Sequence, residues 1–335
     1  MWFGWRARRI KQSEKRRGGS VLRVKVPAST ANLGPGFDTL GMALSLYNYV
    51  EMEETGTQGE LIIEVQGEGA ASIAVDEKNV TWQAAQAVFQ VTGCYPTGLH
   101  IRLHNEIPAA RGLGSSAAAR VGGLIAANYL VGEPLVREQL LALAVGLEGH
   151  PDNAAPALMG GLVAASFTER GLLYRRLEVP AGLQVIVAIP SYELSTQEAV
   201  RALPAMIPLR DAVFNLGQAC LLITGFLTQD WPLIGQAMED RIHQPYRAPL
   251  IPGLEEALKA ARAAGALGAA LSGAGPTVLA LAIEEEGPDQ GNFKHQAQLK
   301  KIGEAMREAF YRSGVASTVR ILSPCAEGAK LELSS

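Results

Sequence analysis

The sequence predicts a globular chain of two domains, each mixing short β-strands with amphipathic helices around a buried core. Three observations carry that expectation. The chain has 335 residues, enough for one large domain or two ordinary ones, and 48% of them are hydrophobic, enough for a sizeable interior. Apolar residues alternate at period two in some stretches and recur at helical spacing in others, so both element types are needed. At Val185-Ile-Val-Ala-Ile189, closed by Pro190, the strand pattern restarts, and a second domain is expected from about Leu183.

Val21-Leu-Arg-Val-Lys-Val26 alternates and reads as the first strand, ending at Pro27. Ala28-Ser-Thr-Ala-Asn-Leu-Gly-Pro-Gly-Phe-Asp38 follows as a polar loop, either a long turn or a site built directly after a strand. Residues 42–53, 60–66 and 99–104 have strand patterns, and Asn79 to Thr92 reads as a helix with Trp82, Ala85, Val88 and Phe89 on its buried side. Helices are expected at 115–131, whose Ala and Gly allow close packing, and at 135–148, which is Leu-rich. The second leads into Glu148-Gly-His-Pro-Asp-Asn153, a dense polar cluster at a helix end, before Pro156 and Gly160-Gly161 precede an apolar strand. His150 alone would read as structural; beside Glu148, Asp152 and Asn153 it reads as functional. In the second half, helices are expected at 210–227, 231–239, 253–264 and 295–313, with a strand at 317–322 and a last apolar segment near 330. Ala269 to Leu279 is a Gly-rich turn between apolar runs, and 284–292 reads as an acidic, solvated loop.

Composition removes several function classes. Charges or Gly/Pro interrupt every apolar run before the roughly 18 residues of a membrane helix, so no membrane partner is expected. Cys94, Cys220 and Cys325 have neither metal-ligand spacing nor a disulfide framework, and the expectation is buried free thiols in a reducing cytoplasm. Residues 1–20 hold seven Lys or Arg and one Glu, a charge of +6, so the remainder carries −9 of the total −3. A basic arm for nucleic acid or membrane, a transit peptide and a disordered overhang from an upstream start codon all fit such a segment; the overhang is the reading adopted. The segment lacks the apolar stretch of a secretory signal. The acidic body argues against nucleic acid as a partner.

Pro108-Ala-Ala-Arg-Gly-Leu-Gly-Ser-Ser-Ala-Ala-Ala119 runs from a turn through two glycines into a helix start. Gly112 and Gly114 permit positive φ and close approach of a ligand, Ser115 and Ser116 stand where N-caps are expected, and free N–H groups would face an anion. Alone, the stretch reads equally as a serine-capped turn. It formally fits G-x-G-x-x-[GA], but Glu133, the acid at the required distance, lies between Gly132 and Pro134 in a turn between helices. No Lys follows the glycines as in a P-loop, and no G-x-S-x-G occurs. A Lys-free phosphate loop, a carboxylate for a metal and a polar cluster for an acceptor together describe a kinase. Backbone N–H groups and Mg²⁺ would neutralise charge on the phosphates, with Ser116 and Glu148 as hard oxygen ligands of the metal.

At these residues the chain resembles the GHMP kinase superfamily. Pro108 to Ala118 looks like its ATP loop, while Pro27 to Asp38 and Leu271-Ser-Gly-Ala-Gly-Pro-Thr277 look like its other two motifs, in family order. The resemblance implies an α+β fold: a ribosomal protein S5 domain 2-like domain at 21–180, a ferredoxin-like domain at 181–335, and an active site in the cleft between them. It implies an ATP site formed by Asn79, Pro108, Ala109, Ala110, Arg111, Gly112, Leu113, Gly114, Ser115, Ser116, Ala117, Ala118, Gly273 and Gly275, with Mg²⁺ on Ser116 and Glu148.

Within the superfamily, Ser29 to Asp38, Glu148 to Pro156 and Ile242 to Gly253 resemble segments of the homoserine kinases. Homoserine presents a carboxylate, an ammonium and a primary hydroxyl, which call for a fork-shaped cation, a carboxylate and hydrogen-bonding groups. The resemblance gives Arg247 to the substrate carboxylate, Asp152 to the ammonium, and Asn32, Asp38, His150 and Thr196 to the remaining contacts. Its implied catalytic group is Ser116, Glu148, Asn153 and Arg247. Asn153 stands where mevalonate and galactose kinases carry an Asp that can act as base. An amide takes no proton at neutral pH, so alignment and charge stabilisation are implied instead. The implied small molecules are homoserine and ATP, in the cytoplasm, with homodimerisation left open.

One position departs from the family. Its usual Ser-Thr-x-x-Ala-Arg is here Ser195-Thr-Gln-Glu-Ala-Val200, and Arg201 follows one residue later, a rotation of about 100° on a helix. Arg201 is retained as a substrate contact beside the alternative of a solvated face. Two rival functions stand next to the first: another GHMP kinase acting on a mevalonate-type or sugar alcohol, and a GHMP-fold binding protein without activity. A sugar needs neither Arg247 nor Asp152, whereas a zwitterion needs both.

Overall fold

The computed structural model describes residues 22–283 and 290–333. The expectations for residues 1–20, and for 284–289 of the acidic loop, lie outside the described residues. The first unit begins with β1 (Leu22–Asn32) and β2 (Gly36–Glu53), an antiparallel hairpin. It continues through β3 (Leu61–Gly67), α1 (Val80–Thr92), β4 (Leu99–Asn105), α2 (Ser115–Leu130), α3 (Arg137–Glu148), α4 (Pro151–Met159), β5 (Leu162–Thr168) and β6 (Gly171–Leu177). β3 and β4 pair in parallel, which requires the crossover that α1 supplies. β5 pairs with β2 and with β6. The small residues of α2 let it lie directly on the hairpin: a Cβ on Gly122 would stand 2.4 Å from Val50 Cγ2.

The second unit opens with β7 (Leu183–Pro190) and continues through α5 (Thr196–Arg201), α6 (Leu209–Thr228), α7 (Trp231–Gln236), α8 (Gln244–Arg247), α9 (Leu254–Ala263), β8 (Gly268–Leu271), β9 (Val278–Ile283), α10 (Gln290–Arg312) and β10 (Ser317–Leu322). Its antiparallel sheet has the order β10-β7-β9-β8, that of a ferredoxin-like domain. One face meets α9 and α10 through Ile186, Ala188, Ile302 and Phe310; the other, through Val185, Val187 and Leu279, joins the core of the first unit. A sheet buried on both faces needs an uninterrupted apolar strand, which is why Val185 to Ile189 does not alternate. The last strand, β11 (Lys330–Leu333), returns to pair with β1, giving the order β11-β1-β2-β4-β3 in the first sheet.

Several expectations need correction. β1 does not stop at Pro27 but runs on to Asn32, because Pro27 sits at a register shift where its missing N–H costs no ladder bond. The supposed loop of residues 28–38 is therefore two strand ends joined by a turn at 33–35. Glu148 to Asn153 is not a plain helix end but the joint between α3 and α4: Gly149 closes α3 at φ +89, His150 caps α4, and Pro151 occupies its first turn. Residues 290–292 belong to α10. The thiols are not buried: Cys94 and Cys220 are exposed and Cys325 is half-buried. One helix, α6, is after all long and apolar enough to cross a membrane by length and composition, although only 22% of its apolar window is buried.

Candidate active site

The three resembling segments meet in space. The β1–β2 turn is bent by residues with positive φ, Asn32 at +71°, Leu33 at +50° and Gly34 at +91°; Asn tolerates this through its short polar side chain. Asn32 Oδ1 accepts from Asp38 N at 3.0 Å and its Nδ2 donates to Gly273 O at 3.1 Å, so the amide pins the turn to the β8–β9 loop. Ser272 Oγ donates to Gly112 O at 2.6 Å and lies 2.8 Å from Thr30 Oγ1. Gly112 must be glycine here, since a Cβ would stand 2.2 Å from Ser272 O.

The cap of α2 is Gly114 in the left-handed region, φ +71, rather than either serine. Ser115 and Ser116 form the first helical turn instead. Ser115 Oγ donates to Ile107 O at 3.2 Å and accepts from Asn48, which makes it a fastening of the loop. With no side-chain cap, the N–H groups of Ser115, Ser116 and Ala117 have no acceptor among the described residues. They point outward with the positive end of the helix dipole, an arrangement that binds anions. Ser116 Oγ donates to Glu148 Oε1 at 3.2 Å. Arg120, one helical turn after Ser116, donates to Ser116 Oγ at 2.7 Å and pairs with Glu148 through the same nitrogen, while its Nε is buried without a partner.

Beside this loop lies a charged cluster. A Cβ on Gly114 would stand 2.1 Å from Ser29 Oγ and 3.0 Å from Asn153 Oδ1, and Ser29 Oγ donates to Asn153 Oδ1 at 3.0 Å. Asn153 Nδ2 reaches Asp152 Oδ1 at 3.4 Å, and Asp152, 3% exposed, holds His150 Nδ1 in a short hydrogen bond. That bond raises the His150 pKa to about 9 against withdrawal from water, with Asp38 and Glu148 adding to the rise, so the ring is an imidazolium at neutral pH. Withdrawal from water and then Asp152 push the Asp38 carboxyl above its usual range, while His150 and Arg247 oppose the shift. Ligand atoms of Asp38, His150 and Asp152 lie within 4.8 Å of one another. Two carboxylates beside one imidazolium leave a net negative charge, which suits a cationic group of a ligand.

Arg247 is 3% exposed at the end of α8. Its Nε donates to Ala199 O at 3.3 Å, and its Nη1 donates to Gly273 O at 3.0 Å and His243 Nδ1 at 3.3 Å. Its Nη2 has no hydrogen-bond acceptor among the described residues. His243 is fully buried; its Nε2 donates to Gly34 O at 2.8 Å, and burial lowers its pKa, which keeps it neutral with Nδ1 as acceptor. Asp240 accepts from the N–H groups of Ile242, His243 and Gln244 and from Asn215 Nδ2, fixing the start of α8.

Other sequence candidates stand apart. Asn79 is a buried cap of α1, accepting from Thr81 N at 2.8 Å and donating to Ala74 O at 2.7 Å, with both ends of its amide in use. Arg111 spans from the loop to Ser191 O at 2.9 Å and lies 3.7 Å from Glu193. Thr196 and Arg201 are both exposed on α5, and Arg201 has no hydrogen bond or ion pair among the described residues; the contact of α5 with Arg247 runs through Ala199 O. Sequence reading missed Ser29, Arg120 and His243. Arg120 could have been found from its spacing, four residues after Ser116 on the same helix face.

Comparison with known proteins agrees with the geometry. The GHMP kinases N terminal domain model matches residues 79–161, and the GHMP kinases C terminal model matches 222–312. The homoserine kinase of Moorella thermoacetica is 48% identical over 306 residues, covering 91% of this chain and 98% of that protein. The homoserine kinase of Carboxydothermus hydrogenoformans is 45% identical over 309 residues, covering 92% and 96%. The crystal structure of homoserine kinase from Cytophaga hutchinsonii superposes with a TM-score of 0.84 at 33% identity, covering 96% of this chain and all of that one. The mevalonate kinase of L. major, in complex with R-mevalonate, shares the fold at a TM-score of 0.62 and 17% identity, covering 92% and 96%. With sequence and fold matched over nearly the whole described chain, it belongs to the homoserine kinase family of the GHMP kinases.

Proposed function

We propose that this chain transfers the γ-phosphoryl group of ATP to the side-chain hydroxyl of L-homoserine, giving O-phospho-L-homoserine and ADP, a step towards threonine in the cytoplasm. The observation that carries the reading is the closure of Gly114 onto Ser29 and Asn153. It sets the anion-binding end of α2 beside the Asp38, His150 and Asp152 group. Phosphates on the N–H groups of Ser115, Ser116 and Ala117 then neighbour an acceptor whose ammonium is met by Asp152 and whose carboxylate is met by the open Nη2 edge of Arg247. Asn32 shapes the pocket through its committed amide rather than by recognition.

The hydroxyl oxygen attacks the γ-phosphorus in line, the bond from phosphorus to the bridging oxygen breaks, and ADP leaves. Asn153, held by Ser29, accepts no proton; the hydroxyl proton passes to a phosphoryl oxygen. Ser116 Oγ and Glu148 Oε1, 3.2 Å apart, are hard oxygens at nearly the spacing of about 3 Å between adjacent ligands of a six-coordinate ion with bonds of about 2.1 Å. The pair fits Mg²⁺, and Arg120 adds a second positive charge beside Glu148. When bound, Mg²⁺ would neutralise charge on the β- and γ-phosphates.

Asp152→Ala tests the assignment. The KM for homoserine is expected to rise by about tenfold or more while that for ATP changes by less than about twofold. A rise confined to ATP would contradict the role of Asp152.

A further inference from the structure

Arg247 is a cation withdrawn from water without a counter-charge at its side. Its hydrogen bonds go to two backbone carbonyls, Ala199 O and Gly273 O, and to the neutral ring of His243, and it has no ion pair among the described residues. Asp38, Asp240 and Asp152 act on it only at longer range. A buried charge in that state is costly. A carboxylate against the guanidinium would relieve the cost, but it would also compete with the substrate carboxylate for Nη2.

Phe37 offers attraction of another kind. It is the second residue of β2, half-buried, and it belongs to neither apolar core. Its ring stacks on His243 instead, with centroids 5.2 Å apart and planes at 26°, and the guanidinium carbon of Arg247 stands over the same ring, 5.3 Å from its centroid. The turn that carries the ring is fixed on both sides, since Asn32 Oδ1 holds Asp38 N and Gly34 O accepts from His243 Nε2. An aromatic side chain ordinarily gains by joining a core; here its partners are two nitrogen-bearing side chains of the other unit. Hydrogen bonds grip a guanidinium by its edges, whereas the electrons of a ring face attract the charge itself and occupy no N–H. That attraction strengthens where water is excluded.

We propose that Phe37 is a positioning residue for Arg247, drawing the guanidinium onto the β1–β2 turn while leaving its charge and its Nη2 edge to the substrate carboxylate. The inference rests on the assignment of that carboxylate to Arg247. It explains how a cation of the second unit is held in register with Asp38 of the first without an acid between them. It also separates Phe37 from His243: the imidazole fixes one edge of the guanidinium, and the ring acts on its face.

Replacing Phe37 in the full chain by phenylalanines with one, two and three ring fluorines tests the proposal, because fluorine draws electrons from the ring face and leaves the bulk nearly constant. The KM for homoserine is expected to rise in that order, reaching about fivefold with three fluorines, while the KM for ATP changes by less than about twofold. Phe37→Leu, which removes the ring, is expected to raise the KM for homoserine by about tenfold, again with little change for ATP. A KM for homoserine that stays level across the fluorinated series, or one that rises only in step with the KM for ATP, would overturn the inference and leave homoserine as the acceptor. A wild type that phosphorylates mevalonate or galactose but not homoserine would overturn the acceptor and the inference together.

Discussion

Two residues set the chemistry of the candidate site most sharply. Gly114 combines φ +71 with a position where a Cβ would collide with Ser29 Oγ at 2.1 Å. Gly114→Ala is expected to cost about 1 to 3 kcal/mol in denaturant unfolding and to lower kcat, because the bond from Ser29 to Asn153 must move. An alanine variant with wild-type kcat and stability would show that the closure is unimportant. His150 gives a pH signature. Folding raises its pKa to about 9, so protonation stabilises the folded state. That contribution is complete below the unfolded value near 6.5 and is lost as pH rises through about 9. The melting temperature of wild type minus that of His150→Gln should therefore shrink between these limits; a constant difference would contradict the imidazolium pair with Asp152.

At the scale of the element, α8 and the turn before it form a socket for Arg247. Asp240 gathers three backbone N–H groups, and His243 joins Gly34 O to Arg247 Nη1. His243→Phe keeps the bulk but leaves a buried carbonyl and a guanidinium edge unpaired, a cost of about 1 to 3 kcal/mol. Its expected kinetic effect is a raised KM for homoserine with little change for ATP; equal effects on both would mean that the socket acts on the whole fold. Elements such as α1 and α9 were legible in the chain because one face of each is apolar, and β7 because its run is apolar throughout. β1 beyond Pro27 and α4 were not, because a proline at a bulge and two prolines in a nine-residue helix read locally as breakers. The charged members of the candidate site came from the resemblance to the homoserine kinases, and a zwitterion's need for both signs is consistent with them. Ser29 and His243 were not legible, because their partners lie 124 and 209 residues away and only the folded chain joins them. Arg201 shows the reverse case, a residue with suitable chemistry one step out of register.

At the scale of the molecule, the second sheet is the common wall. Val185 and Val187 pack into the core of the first unit while Ile186 and Ala188 pack under α9 and α10, so the two units hold a fixed relation at the level of one strand. From that wall the β8–β9 loop reaches Gly112 and Asn32, which brings the three motifs into one cleft. The N-terminal end of α2 and the Asp38, His150 and Asp152 group thus come from the first unit, and Arg247 from the second. The identity of the acceptor is measured directly by release of ADP in the presence of Mg²⁺. With homoserine, serine, threonine, mevalonate and galactose offered separately, homoserine is expected to be turned over with the highest kcat/KM, forming a phosphate ester on its side-chain oxygen. Turnover of mevalonate or galactose without turnover of homoserine would contradict homoserine as the acceptor.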